Sequence, residues 1–159
     1  MIKINFHEIP WEERRSPGGK YNLFRKELSI ALGSPRHTGT WGGGHPFDVE
    51  LTRVPAGALN WPLHSHDTQW EFFVVLEGSA ELRAGEETVE IVSGDCFMIP
   101  PGTARHIHNS GEADLVYFVI ADNPVSDVVY YPDSDKWQVK PRNVYFRMDP
   151  VGNCYEGEE

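Results

Sequence analysis

From Phe47 onward, apolar and polar positions alternate in short runs that end at turn residues. Phe47, Val49 and Leu51 alternate with polar neighbours, and Pro55-Ala56-Gly57 closes the run. Glu71 to Leu76 is almost wholly apolar and stops at Glu77-Gly78. Ala80 to Ala84 and Thr88 to Val92 flank Gly85-Glu86-Glu87, the signature of a hairpin. Cys96 to Ile99 follows Ser93-Gly94-Asp95 and ends at Pro100-Pro101-Gly102, and Leu115 to Ala121 and Val128 to Tyr131 complete the series. Runs of this length and spacing predict an all-β sandwich or barrel. No helical period intervenes, so a parallel α/β sheet is excluded.

The ends are less regular. Tyr21 to Leu32 fits a helix face through Phe24, Leu28 and Leu32, and an alternating strand through Leu28, Ile30 and Leu32; the strand is preferred. We expect one domain in three parts. Residues 1–45 form an N-terminal arm packed on the barrel, 46–131 the barrel, and 132–159 a C-terminal arm with an acidic tail.

Composition narrows the partners. With 24 acidic and 14 basic residues the chain carries a formal charge of -10, which disfavours phosphate backbones and anionic membranes. The start, MIKINFHEIP, lacks the basic-then-apolar pattern of a signal peptide, and Leu115 to Ala121 is too short to span a bilayer. Cys96 in a strand and Cys154 in a polar tail suit two reduced thiols in the cytoplasm. What remains is a small-molecule ligand.

The candidate chemistry centres on His64-Ser65-His66. On a strand, residues i and i+2 share a face, so both imidazoles face one cavity. Glu71, at the head of the apolar strand, is near enough to bring a carboxylate to the same place. Two imidazoles and a carboxylate suit a divalent Mn, Fe, Co, Ni or Zn ion. His106 and His108, beyond Pro100-Pro101-Gly102, are the sources of a third imidazole.

Taken together, Gly57, His64, His66, Glu71 and Gly78, then Gly94, Pro100, Gly102, His106 and Asn109, resemble the two motifs of the cupin superfamily. The resemblance covers roughly residues 45 to 121. It implies a jelly-roll barrel, often dimeric, with a metal held by three histidines and one glutamate. Tyr131-Pro132-Asp133 and its neighbours are also similar to stand-alone cupins labelled sugar-phosphate isomerases. Two departures stand out. Six residues rather than five separate Gly57 from His64, and the place of the third histidine holds Arg105, with His106 one residue late.

A one-residue shift reverses the face of a strand. A regular strand therefore turns Arg105 and Ile107 inward and His106 and His108 outward. A β-bulge near Thr103-Ala104 restores His106 and His108 to the interior. With the bulge, the resemblance gives His64, His66, Glu71 and His106 as metal ligands, with His108 lining the cavity. Without it, two histidines and a glutamate remain, and Arg105 is placed to meet a carboxylate or phosphate. Trp61 and Phe73 are the apolar candidates for contact with a ligand, Phe73 because Glu71, Phe73 and Val75 share a face. Phe72, Val74 and Leu76 then point outward and need cover, from the N-terminal arm or from a second subunit in a homodimer.

Three functions follow from this reading. One is a metal-dependent oxygenase, decarboxylase or isomerase acting on a small polar or acidic metabolite. Another is a non-catalytic barrel that binds a sugar or small acid. The last is a metal-free structural or regulatory barrel.

Overall fold

The computed structural model describes residues 1–148; Cys154 and the acidic tail lie outside the described residues. Among the described residues the strands are β1 (Glu12–Arg15), β2 (Asn22–Glu27), β3 (Phe47–Val54), β4 (Ser65–His66), β5 (Glu71–Glu77), β6 (Ser79–Ala84) and β7 (Glu87–Val92). They continue with β8 (Cys96–Ile99), β9 (Arg105–His108), β10 (Leu115–Asp122), β11 (Asp127–Tyr131), β12 (Lys136–Lys140) and β13 (Val144–Phe146). One helical turn, α1 (Leu28–Ala31), is followed by loops.

These strands pair antiparallel in three groups. A six-stranded sheet runs in the order β1-β2-β3-β10-β5-β8, a four-stranded sheet β13-β12-β11-β4, and a three-stranded sheet β7-β6-β9. Isolated bridges join Leu59 to His108 and His64 to Arg105, so β9 is flanked on both sides. The result is an all-β jelly-roll barrel.

The period-two pattern decides which side chains enter it. Along β5 the inward residues are Glu71, Phe73 and Val75, all buried; along β9 they are Arg105 and Ile107; along β10, Leu115 and Tyr117; along β11, Asp127, Val129 and Tyr131. Phe73, Val75, Leu82, Ile107, Leu115 and Tyr117 belong to one apolar cluster. Glu71, Arg105 and Asp127 are buried inward positions that are ionisable.

Two motif residues fasten the turns. Gly78 sits at φ +80°, and a Cβ there would lie 2.5 Å from the Asp114 carbonyl oxygen, so only glycine admits this close crossing. Asn109 is fully buried, and its amide donates to the carbonyls of Val54 and Ala113, both at 2.8 Å. Its own side-chain oxygen accepts from the Gly111 N–H at 3.1 Å.

The terminal segments differ from expectation. The strand expected over 21–32 stops at Glu27, where the chain turns through α1 so that the Ser29 hydroxyl accepts the Val49 N–H at 2.9 Å. Local alternation at Leu28, Ile30 and Leu32 loses to that tertiary bond. Strands β1 and β2 extend the large sheet beyond β3, held by ion pairs among Arg14, Glu12, Arg36, Glu27, Arg25 and Glu50. Past Pro132, β12 and β13 add to the sheet that begins with β11.

Candidate functional site

The site begins with an antiparallel bridge. The Arg105 N–H donates to the His64 carbonyl at 2.9 Å, and the His64 N–H donates to the Arg105 carbonyl at 3.3 Å. Directly opposed residues project on the same face, so the imidazole and the guanidinium meet. The register of β9 on β6 runs without a break from Ala84–Arg105 to Glu81–His108, and within it Arg105 and Ile107 are the buried positions. Leu82 and Ile107 are paired and both buried, and this locks the face.

His106 therefore lies on the outer face, opposite Arg83, and His108 lies outside near Glu81, its Nδ1 at 3.5 Å from the carboxylate. His106, expected as a ligand, and His108, expected in the cavity, are thus not brought together with His64, His66, Glu71 and Arg105, which line it. Arg105 takes the interior position at 7% exposure. Its guanidinium pairs with the Glu71 carboxylate through one nitrogen and donates to His64 Nε2 and the His64 carbonyl through the other.

Each histidine is oriented from behind. His64 Nδ1 donates to the Pro62 carbonyl at 2.7 Å, which leaves Nε2 as the acceptor for Arg105. His66 Nδ1 donates to Asp127 Oδ2 at 2.6 Å, and its Nε2 lies 3.8 Å from Glu71 Oε1. Burial and then the Arg105 charge hold His64 well below the ordinary histidine value. Burial also lowers His66, against the pull of its Asp127 bond. Both rings are thus neutral at neutral pH.

Asp127 is a site residue that the sequence reading did not single out. Burial alone would raise its carboxyl. The His66 bond, the Thr68 N–H at 3.0 Å and the Lys140 charge outweigh burial and bring it to about 2. The Thr68 hydroxyl lies 3.0 Å from the same carboxylate. Lys140 Nζ stands 3.8 Å from Asp127 and 3.4 Å from Gln69 Oε1, and burial lowers its ammonium pKa. A visible signal for Asp127 was its place in the alternation with Val129 and Tyr131, since a carboxylate on a buried register needs partners. Lys140 comes from β12, where no such signal exists.

These groups line a cavity of about 700 Å³, the size range of small-molecule sites. Trp61 and Phe73 line it too, Trp61 at 38% exposure and Phe73 buried and stacked on Phe97 at 4.8 Å. Tyr131 stacks on His64 at 5.6 Å, and burial pushes its phenol up to about 12.

Two imidazoles and a carboxylate form a donor set for a divalent ion, and tying each Nδ1 to an acceptor is how metal-binding histidines are aimed. Here, however, Arg105 already sits on His64 Nε2 and Glu71. A divalent ion beside that buried guanidinium would meet repulsion of about 8 kcal/mol at 4 Å and an effective dielectric of about 20. Among the described residues no group of His, Cys, Asp and Glu is arranged to hold an ion. The residues fit an internal organic cation, not a resident metal next to it.

An antiparallel barrel with a charged interior site defines the class of protein. Residues 50–121 match the family model described as Cupin domain; the chain carries a cupin domain and shares the fold of the cupin superfamily. It is 32% identical over 128 residues to quercetin 2,3-dioxygenase of Bacillus subtilis, a match spanning 77% of this chain and 36% of that protein. It is 34% identical over 73 residues to an uncharacterized protein of Methanocaldococcus jannaschii, covering 46% of this chain and 58% of the relative. The chain thus spans about a third and somewhat over half of the lengths of these curated relatives. A sugar phosphate isomerase of the cupin superfamily from Silicibacter pomeroyi superposes with a TM-score of 0.75 at 24% identity, over 98% of both chains. That likeness shows the fold alone. Among the described residues no helix is long and apolar enough to cross a membrane.

Proposed function

We propose that this cupin binds a small acidic metabolite in its barrel, with Arg105 as the fixed cation of the site. The observation that carries the reading is the inward, buried guanidinium between Glu71 and His64. Arginine keeps its charge at all physiological pH values and presents donors suited to carboxylates and phosphates. Beyond its contacts with Glu71 and His64, the guanidinium has further N–H groups for a ligand oxygen. In this reading the cavity does not take the Fe, Mn, Co, Ni or Zn ion that the motif resemblance implies, because its place on His64 and Glu71 belongs to Arg105. A content of two cysteines and a formal charge of -10 are consistent with a cytoplasmic setting.

Binding is read from ligand-induced stabilisation. Phenylacetate, as a simple carboxylate probe, is expected to raise the melting temperature of the wild type in a concentration-dependent way. It should leave a double variant, Arg105→Met with Glu71→Leu, unchanged. Equal shifts in both proteins would place the carboxylate elsewhere.

We further infer a homodimer. Phe6 covers part of the outer face, edge-on to Phe118 at 5.8 Å, and Lys26 Nζ donates to the Phe6 carbonyl at 2.8 Å. This leaves Leu76 at 36% and Met98 at 55% exposure, the latter on the edge strand β8. A second copy of the chain is the cover proposed for this apolar edge. Sedimentation over a micromolar concentration series should show a dimer; a monomer throughout would refute it.

A further inference from the structure

Two acceptors face each other in the cavity without a donor between them. His66 spends its Nδ1–H on Asp127, so Nε2 presents a lone pair, and Glu71 Oε1 lies 3.8 Å from it. Both residues are 8% exposed, and among the described residues no protein donor is found on either of these two atoms. Both residues line the cavity, so these acceptors offer lone pairs to a donor carried by a ligand. The other oxygen of the same Glu71 carboxylate holds Arg105. The place for a ligand donor and the place for a ligand anion are therefore only one carboxylate apart.

We propose that the site selects 2-hydroxy acids, the carboxylate meeting Arg105 and the adjacent hydroxyl donating between His66 Nε2 and Glu71 Oε1. This rests on the reading of Arg105 as an anion site and adds what that reading lacks, a demand for a hydroxyl on the neighbouring carbon. A carboxylic acid without that hydroxyl leaves the two acceptors facing each other unpaired. A simple alcohol forfeits the cation. Phe73 and Trp61, lining the same cavity, supply apolar surface for the remainder of the ligand.

The test uses matched pairs that differ only in the hydroxyl: mandelate against phenylacetate, and lactate against propionate. Each is titrated calorimetrically into the wild type. Mandelate and lactate are expected to bind at least about tenfold more tightly than their partners, the discrimination a hydrogen bond to a charged group provides. In His66→Gln, the ratio of mandelate to phenylacetate affinity should fall toward one. Equal affinities within the wild-type pairs, with phenylacetate still sensitive to Arg105→Lys, would overturn the hydroxy-acid assignment and leave the anion site standing. A preference that survives His66→Gln would likewise overturn it. No binding by any of the four acids would overturn both readings. The wild-type comparison needs no variant, so the assignment remains testable if His66→Gln does not fold.

Discussion

Replacing Arg105 by methionine is expected to cost about 3–5 kcal/mol of stability, the loss found when one partner of a buried ion pair is removed. The reason is local. Glu71 is 8% exposed and its Oε2 depends on the guanidinium, so the single variant leaves a buried carboxylate without its cation. His64 Nε2 loses its donor in the same step. The double variant, Arg105→Met with Glu71→Leu, should recover most of that loss, because apolar groups of similar volume replace a buried pair at little net cost. Urea denaturation monitored by tryptophan fluorescence compares the three proteins. A double variant no more stable than the single one would show that the Arg105–Glu71 pair is not the unit described here.

The second large effect is acid sensitivity at Asp127. Its carboxyl falls from an ordinary 3.8 to about 2 in the folded chain. A depressed folded-state pKa favours the folded state wherever the carboxylate is ionised. The stabilisation is therefore complete above pH 3.8 and disappears as the pH falls toward about 2. Its size is on the order of 2 kcal/mol, from a shift of nearly two pH units. The Asp127 side chain is only 2% exposed, so solvent screening takes little from that figure. Asp127→Asn should flatten the stability profile over this window relative to the wild type, as measured by urea titrations at stepped pH. Parallel profiles for the two proteins would contradict the assignment of Asp127 as the carboxylate behind His66.

Much of the strand pattern was legible along the chain because one-sided burial leaves a period of two. Glu71, Phe73 and Val75 alternate with Phe72, Val74 and Leu76, and the structure turns the first set inward. The hairpin around Gly85 was equally visible, since turn residues separate two alternating runs. The face of β9 was not legible. Arg105-His106-Ile107-His108 places an arginine and an isoleucine on one face and two histidines on the other, so either face can carry a polar site, and a bulge leaves no mark in so short a run. What decides it is non-local: the Leu82–Ile107 pair on one side and the His64–Arg105 bridge on the other. The same holds for Lys140, whose meeting with Asp127 depends on the pairing of β12 with β11, where Asp127 stands opposite Lys140. Local alternation misled at Leu28–Leu32, where a buried serine hydroxyl serving Val49 bends the chain into a helical turn.

The central claim is that Arg105, and not a metal ion, is the cation held by His64 and Glu71. Elemental analysis of untagged wild-type protein, beside a His64→Ala, His66→Ala variant, tests it directly. The account predicts well under one-tenth of an equivalent of Fe, Mn, Co, Ni and Zn in both proteins. Close to one equivalent of any of these in the wild type, lost in the variant, would contradict it.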